Sequence, residues 1–322
     1  MVAYTQDELL NKEFKKLNND VLDGLLRTGL YIMGATSKVG KTMIATSLAN
    51  AVANGNDYLG KANSKGKVIY YDNDNYEYEA KERVKALGFT ATPDIRYVFG
   101  EDAQSLRYIK MDLQFYVESA EDCRLVIIDS FINLAEFIDV DHSYQRIYPI
   151  LKNFRDFIVE CDLVCIILHH TKKGMANGQD RLIGPKAMSG ATSGSILLNV
   201  IDEFSKEGTL EFVLRHRKEI IPIKKDNQGI GWELDDTQES VVEDIPKSLL
   251  NLINTIIAID NHELCGNSQE IVQKAKMEIN PYALYKYLKK HKSILEQNFI
   301  SFERIRTHES RKIIIRYEDE NK

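Results

Sequence analysis

The sequence has few cysteines, no long apolar run and no repeated segment, and each shortage excludes something. Only four cysteines (Cys123, Cys161, Cys165, Cys265) occur in 322 residues, without metal-site pairing. A disulfide framework and a cysteine-ligated metal are therefore not expected; the four thiols read as reduced and mostly buried, which fits a cytoplasmic protein. No stretch approaches the ~18 uninterrupted apolar residues of a membrane span, and the longest runs, such as 163–168, suit buried strands. Residues 1–16 mix acidic and basic side chains without an apolar block, so they do not read as a signal peptide. Nor is there an excess of positive charge, with 42 Lys and Arg against 48 Asp and Glu. The net charge is −6, which argues against nucleic-acid binding by the chain taken as a whole. Between residues 281 and 317, however, nine Lys or Arg face three Glu, a net +6 that leaves −12 elsewhere. Such asymmetry makes the basic segment either a nucleic-acid surface or a solvated face.

What is present describes a globular protein. Hydrophobic residues make up 43% and charged ones 28%, enough to exclude disorder as the main state and to bury a sizeable core. The length predicts about two domains. Apolar runs at 30–33, 67–71, 96–99, 125–128 and 163–168 read as strands. They alternate with helical patterns at 41–53, 78–87, 105–120 and 144–161. Uninterrupted apolar strands alternating with helices predict an α/β domain with a mostly parallel sheet covered on both faces. A Gly-, Ser- and Lys-containing stretch, 172–195, reads as a long functional loop. Strands return at 196–201, 210–215, 220–224 and 232–234, before acidic residues 236–246 that read as a linker. Beyond it, helical patterns at 247–259, 268–277 and 281–290 precede alternating segments at 299–306 and 312–317. Helices ending in a hairpin predict a small winged-helix-like domain over 247–322. The organisation is thus a leader or short helix over 1–20, an α/β domain over 21–235, the linker and the basic domain.

The most informative segment is Gly34-Ala35-Thr36-Ser37-Lys38-Val39-Gly40-Lys41-Thr42. It follows an apolar strand and opens a helix, the context of a phosphate-binding loop. Backbone N–H groups from Thr36, Ser37, Lys38, Val39, Gly40 and Lys41 can cradle phosphate oxygens at a positive helix end. Lys41 would neutralise the β- and γ-phosphates, and the Thr42 hydroxyl would hold Mg²⁺. The usual spacing puts the first glycine where this chain has Ala35, with Gly34 one step early, so Ala35 has to accept the backbone angles at the start of the loop. Leu125-Val126-Ile127-Ile128-Asp129 is an apolar strand ending in a carboxylate, the Walker B pattern, and Asp129 would position the metal.

These residues, together with His169-His170-Thr171-Lys172-Lys173 after an apolar strand and the Gly/Ser-rich 189–195, resemble the RepA-like branch of the RecA/DnaB hexameric helicase superfamily. The resemblance spans about 21–235. It implies a RecA-type ATPase core, ATP with Mg²⁺, assembly into a homo-oligomeric ring (a hexamer) and action on single-stranded DNA, often in the replication of plasmids or phages. Carried over by position, it implies that Asp74 activates the attacking water. The family most often has Glu there, so the shorter Asp74 leaves Asp72 as a fallback. His170 resembles the sensor of the γ-phosphate, while His169 reads as a core histidine. Arg217, assisted by Arg215, would be an arginine finger acting in a neighbouring subunit. Lys172, Lys173, Arg181 and Lys186 would line a channel and track the DNA backbone. In the basic domain, Lys286, Lys289, Lys290, Arg304, Arg306 and Arg311 would form a second DNA surface. The expected protein is an ATP hydrolase of helicase type. Two rivals stay open: an ATP-gated DNA-binding regulator without translocation, and an adaptor that binds nucleotide and a replication or regulatory protein.

Overall fold

The computed structural model describes residues 19–119, 122–138, 144–170, 190–214, 217–244, 246–259, 262–306 and 311–317, with isolated positions 5, 6 and 12. After a short pair, β1 (Asp20–Val21) with β2 (Leu26–Arg27), the strands are β3 (Gly29–Ala35), β4 (Lys67–Asp72), β5 (Ile95–Phe99), β6 (Cys123–Asp129), β7 (Val164–His170), β8 (Gly194–Asn199), β9 (Glu207–Leu214), β10 (Arg217–Lys225), β11 (Trp232–Leu234) and β12 (Val241–Asp244). The main sheet runs β11-β10-β9-β8-β3-β7-β6-β4-β5, with β12 joined to β10. From β8 to β5 the six strands are parallel. The other pairings, from β8–β9 outward, are antiparallel. The sheet is α/β and mostly parallel at its centre, consistent with a RecA-type core.

Every residue of β3 is buried, because helices cover both faces. Tyr31 and Met33 point into a cluster with Ile44, Leu48 and Val52 of the Lys41–Asn54 helix. Leu30 and Ile32 point the other way, towards Leu113, Leu151 and Phe154 of helices Leu106–Ser119 and Tyr144–Glu160. The period-2 alternation of side chains serves two apolar faces at once, so no polar residue interrupts the strand.

A third cluster belongs to the C-terminal segment. Its elements are helix Lys247–Ala258, β13 (Glu263–Gly266), helices Ser268–Lys274, Leu284–Lys290 and Lys292–Gln297, β14 (Ile300–Arg306) and β15 (Arg311–Tyr317). The antiparallel sheet order is β13-β15-β14. Asn267 caps the Ser268–Lys274 helix reciprocally with Glu270, and Asn280 accepts from the Tyr282 N–H where Pro281 starts the next turn.

Four differences from the sequence reading stand out. Val241–Asp244, expected as linker, forms a strand opposite Arg217–Ile220. Strand β13 carries no apolar alternation and exists because β15 supplies its partner. The end of the long loop is packed rather than open, with Ala191 and Thr192 buried, and a Cβ at Gly190 would lie 2.4 Å from the Phe299 ring. The thiols are less buried than expected. Cys165 is buried, Cys123 and Cys161 are intermediate and Cys265 is exposed, and all four are free.

Candidate active site

The phosphate loop begins where β3 ends. Ala35 stays within the strand, buried and paired opposite His170 of β7, so the missing glycine there demands no unusual backbone. The left-handed angles fall on Lys38 (φ 66°) and Gly40 (φ 97°) instead. Gly40 caps the Lys41–Asn54 helix without a side-chain oxygen, and no acidic residue occupies the first turn. The helix itself therefore supplies no anion at its positive end, which suits a phosphate.

Lys41, only 6% exposed, lies 3.4 Å from His170 Nδ1. Burial lowers its pKa to about 8, against the pull of Asp129 and Asp74. Asp129 is also buried. Its pKa is pushed up to about 6 by burial and by Asp72, while Lys41 and hydrogen bonds from the Thr42 and Tyr70 hydroxyls oppose the rise. Tyr70 donates at 3.0 Å. Thr42 and Asp129 thus meet at one point, and a hydroxyl beside a buried carboxylate is the hard-oxygen donor set that Mg²⁺ takes. The residues present fit the ion. His170 is held below its ordinary pKa by burial and by Lys41; it faces the site as a neutral ring.

Asp72 and Asp129 stand opposite each other on β4 and β6, but Asp72 is already engaged. Arg83 binds it at 2.7 Å with both side chains buried, and the Asn75 side chain donates to it at 2.8 Å. Asp74 is different: its carboxylate accepts from Asn133 Nδ2 at 2.9 Å and lies close enough to act electrostatically on both Lys41 and His170. Asn133 also donates to the Asn73 carbonyl at 3.1 Å, so the loop after β4 is tied to the segment after β6. The 660 Å³ cavity beside them is lined by Asp74, Asn75, Tyr76, Tyr78, Phe99 and Gln104, among others. Of the two acidic candidates, Asp74 is the one free of a buried ion pair.

His169 is core, as expected, with its ring edge-on to Phe131 at 4.9 Å. Arg217 lies away from this cluster. Lys218, Val213, Ser195 and Ile32 form one row across β10, β9, β8 and β3, and Arg217 is one residue further from the phosphate loop. At standard spacings that is about 13 Å back along the strands and about 14 Å sideways, beyond the reach of its side chain. It pairs instead with Glu219, a fully buried carboxylate that Lys61 also holds at 2.7 Å. Lys286, Lys289 and Lys290 are exposed on the Leu284–Lys290 helix. Lys289 and the exposed Arg304 each lie 5.2 Å from the Tyr285 ring centre. Lys172, Lys173, Arg181, Lys186 and Arg215, and the side chains of Arg306 and Arg311, lie outside the described residues.

A phosphate loop at the end of a central parallel strand, a buried lysine, and a carboxylate ending each of β4 and β6 define a P-loop nucleoside triphosphatase with a RecA-type core. Residues 4–176, more than half the chain, match the AAA domain family, and the chain belongs to that family of ATP-hydrolysing domains. Among solved structures it is similar to the ATPase domain of G40P, at 15% identity and a TM-score of 0.50 over 65% of this chain and 85% of that one. That likeness bears on the fold. No curated protein sequence matches the chain. Among the described residues no helix is long and apolar enough to cross a membrane, and no cluster of His, Cys, Asp and Glu forms a metal site of three or more ligands.

Proposed function

We propose that the protein is a Mg-ATP-dependent ring ATPase, a hexamer acting on single-stranded DNA in the manner of a replicative helicase-type motor of a plasmid, phage or other mobile element. The observation that carries this reading is the convergence of Lys41, Thr42, Asp129, Asp74 and His170 at one end of the sheet, while Arg217 lies out of reach of it. Lys41 and the loop amides bind the β- and γ-phosphates. Thr42 and Asp129 would hold Mg²⁺, which when bound neutralises charge on the phosphate oxygens. Asp74, oriented by Asn133, takes the proton of the attacking water. Neutral His170, bonded to Lys41, senses the phosphate and precedes the 171–189 segment, whose lysines and arginine track the DNA backbone.

Arg217 serves the site of an adjacent subunit, because its own is too distant. The likeness to the ATPase domain of a protein named G40P supports the RecA-type frame of this reading. In the C-terminal segment, helix, strand, three helices and a hairpin around a β13-β15-β14 sheet support a winged-helix-like domain. Its exposed Lys286, Lys289, Lys290 and Arg304 would contact phosphates, joined by Arg306 and Arg311. The runner-up is an ATP-gated DNA-binding regulator or adaptor. The tie of Arg217 to buried Glu219 favours it, because that tie has to break before the finger can act.

The test is ATP hydrolysis with and without single-stranded DNA, across protein concentration, with Lys41→Ala as control. Turnover that rises with both and vanishes in the variant supports a motor ring. Nucleotide binding without turnover under every condition would overturn the motor and leave the gated binder.

A further inference from the structure

The chain's single tryptophan is buried in the cluster between the sheet and the Lys41–Asn54 helix, and its polar edge meets the phosphate loop. Trp232 belongs to β11 and sits directly opposite Lys225 of β10. Its indole Nε1–H donates to the Val39 carbonyl at 3.1 Å. The fit is close, since a Cβ on Gly40 would lie 2.6 Å from that nitrogen. On the ring face, the Lys225 ammonium lies 4.2 Å from the ring centre and donates to the Ile230 carbonyl at 3.2 Å. The turn that carries both is laced by Asp226, which accepts from the N–H groups of Ile230 and Gly231 at 2.9 and 2.7 Å.

A trans peptide points its C=O and N–H in opposite directions. Fixing the Val39 carbonyl on the indole therefore fixes the next N–H, that of Gly40, facing away from the indole. We propose that Trp232, backed by Lys225, is a positioning residue for the phosphate loop. It holds the Val39–Gly40 peptide so that the Gly40 N–H faces the bound phosphates, and its indole reports whether they are there. The inference rests on nucleotide binding at this loop but not on the ring, the DNA or Arg217. It also gives Gly40 a second requirement beyond its positive φ: no side chain can stand between loop and indole.

The experiment titrates the full chain with ADP and with a non-hydrolysable ATP analogue, following tryptophan emission, with calorimetry in parallel. Emission should shift in step with calorimetric binding. Lys41→Ala should abolish both. Trp232→Phe keeps an aromatic ring but loses the donor together with the indole's second ring; through the lost donor, nucleotide affinity should fall about 3- to 10-fold, the scale of one hydrogen bond. KM for ATP should rise by a similar factor with kcat little changed, because the contact holds ground state and transition state alike. Unchanged emission at calorimetric saturation would overturn the proposal while leaving the nucleotide site intact. So would a Trp232→Phe protein that melts earlier yet binds nucleotide as tightly as the original. Absence of any calorimetric binding would overturn the nucleotide site and this proposal together. Should Trp232→Phe fail to fold, the emission of the unaltered protein still decides.

Discussion

Lys41 and Asp129 occupy the same buried end of the sheet, and burial moves the two groups towards each other on the pH scale, to about 8 and about 6. Below pH 6 Asp129 gains a proton and loses the charge that attracts the metal. Above pH 8 Lys41 loses the charge that binds phosphate. kcat/KM, which reports the free enzyme, should trace a bell with limbs near those values. The limbs of kcat should lie further out, because bound phosphate favours charged Lys41 and bound metal favours charged Asp129. A kcat/KM flat from about pH 5 to 9 would contradict the assignment. Asp74→Asn removes the proposed proton acceptor but not the loop, so binding should persist while turnover falls about 10²- to 10⁴-fold; an equal fall for Asp72→Asn with Asp74→Asn harmless would reverse the two roles. The phosphate loop was legible in the sequence because its chemistry is local: nine consecutive residues supply it. Trp232 was not, since its partner Val39 is 193 residues away. Nor was Tyr70, whose phenol meets Asp129 across 59 positions. Nothing in the 78–87 pattern marks Arg83 as the buried partner of Asp72.

Strand β4 and the Glu77–Ala86 helix are joined by the ion pair of Arg83 with Asp72. Each partner is almost fully enclosed, so removing one leaves the other charged and unpaired in a poor solvent for it. Arg83→Met should cost about 3–5 kcal/mol of stability, read from the shift of a urea midpoint. A loss below ~1 kcal/mol would place the pair among surface bridges. The central elements are readable to within a residue or two, because strands buried on both faces must be apolar throughout and helices such as Leu106–Ser119 and Tyr144–Glu160 turn one apolar face to them. Val241–Asp244 and Glu263–Gly266 became strands through partners elsewhere in the chain, a tertiary choice that a Val-Val-Glu-Asp or Glu-Leu-Cys-Gly segment does not announce. On the Leu284–Lys290 helix, buried Leu284 and Leu288 fix which face is left outward, and that face carries Lys286, Lys289 and Lys290. Replacing the three by Ala should lower the log–log salt slope of single-stranded DNA affinity by about 2 if each contacts a phosphate. An unchanged slope would assign the surface to a protein partner.

At the scale of the whole molecule, the ends of β10 face different tasks. Lys225 stands beside the chain's own phosphate loop, while Arg217, at the other end of the nine-residue strand, points back to Glu219. If Arg217 takes part in hydrolysis, it has to do so at another subunit's site, which makes the proposed assembly testable without an image of it. Lys41→Ala should be inactive but still able to lend Arg217. Arg217→Gln, which keeps a hydrogen-bonding group beside Glu219, should retain its loop and lose most turnover. Mixed in equal amounts, the two inactive proteins form some interfaces with an intact loop on one side and an intact arginine on the other. Random assembly makes these about one interface in four, so activity should return to roughly a quarter of the original, and it should fall on dilution as the subunits part. The readout is turnover of the mixture against each variant alone, after subunits have had time to exchange. If the variants exchange subunits and the mixture stays inactive, Arg217 does not act across an interface, and its pairing with Glu219 is then only a structural contact.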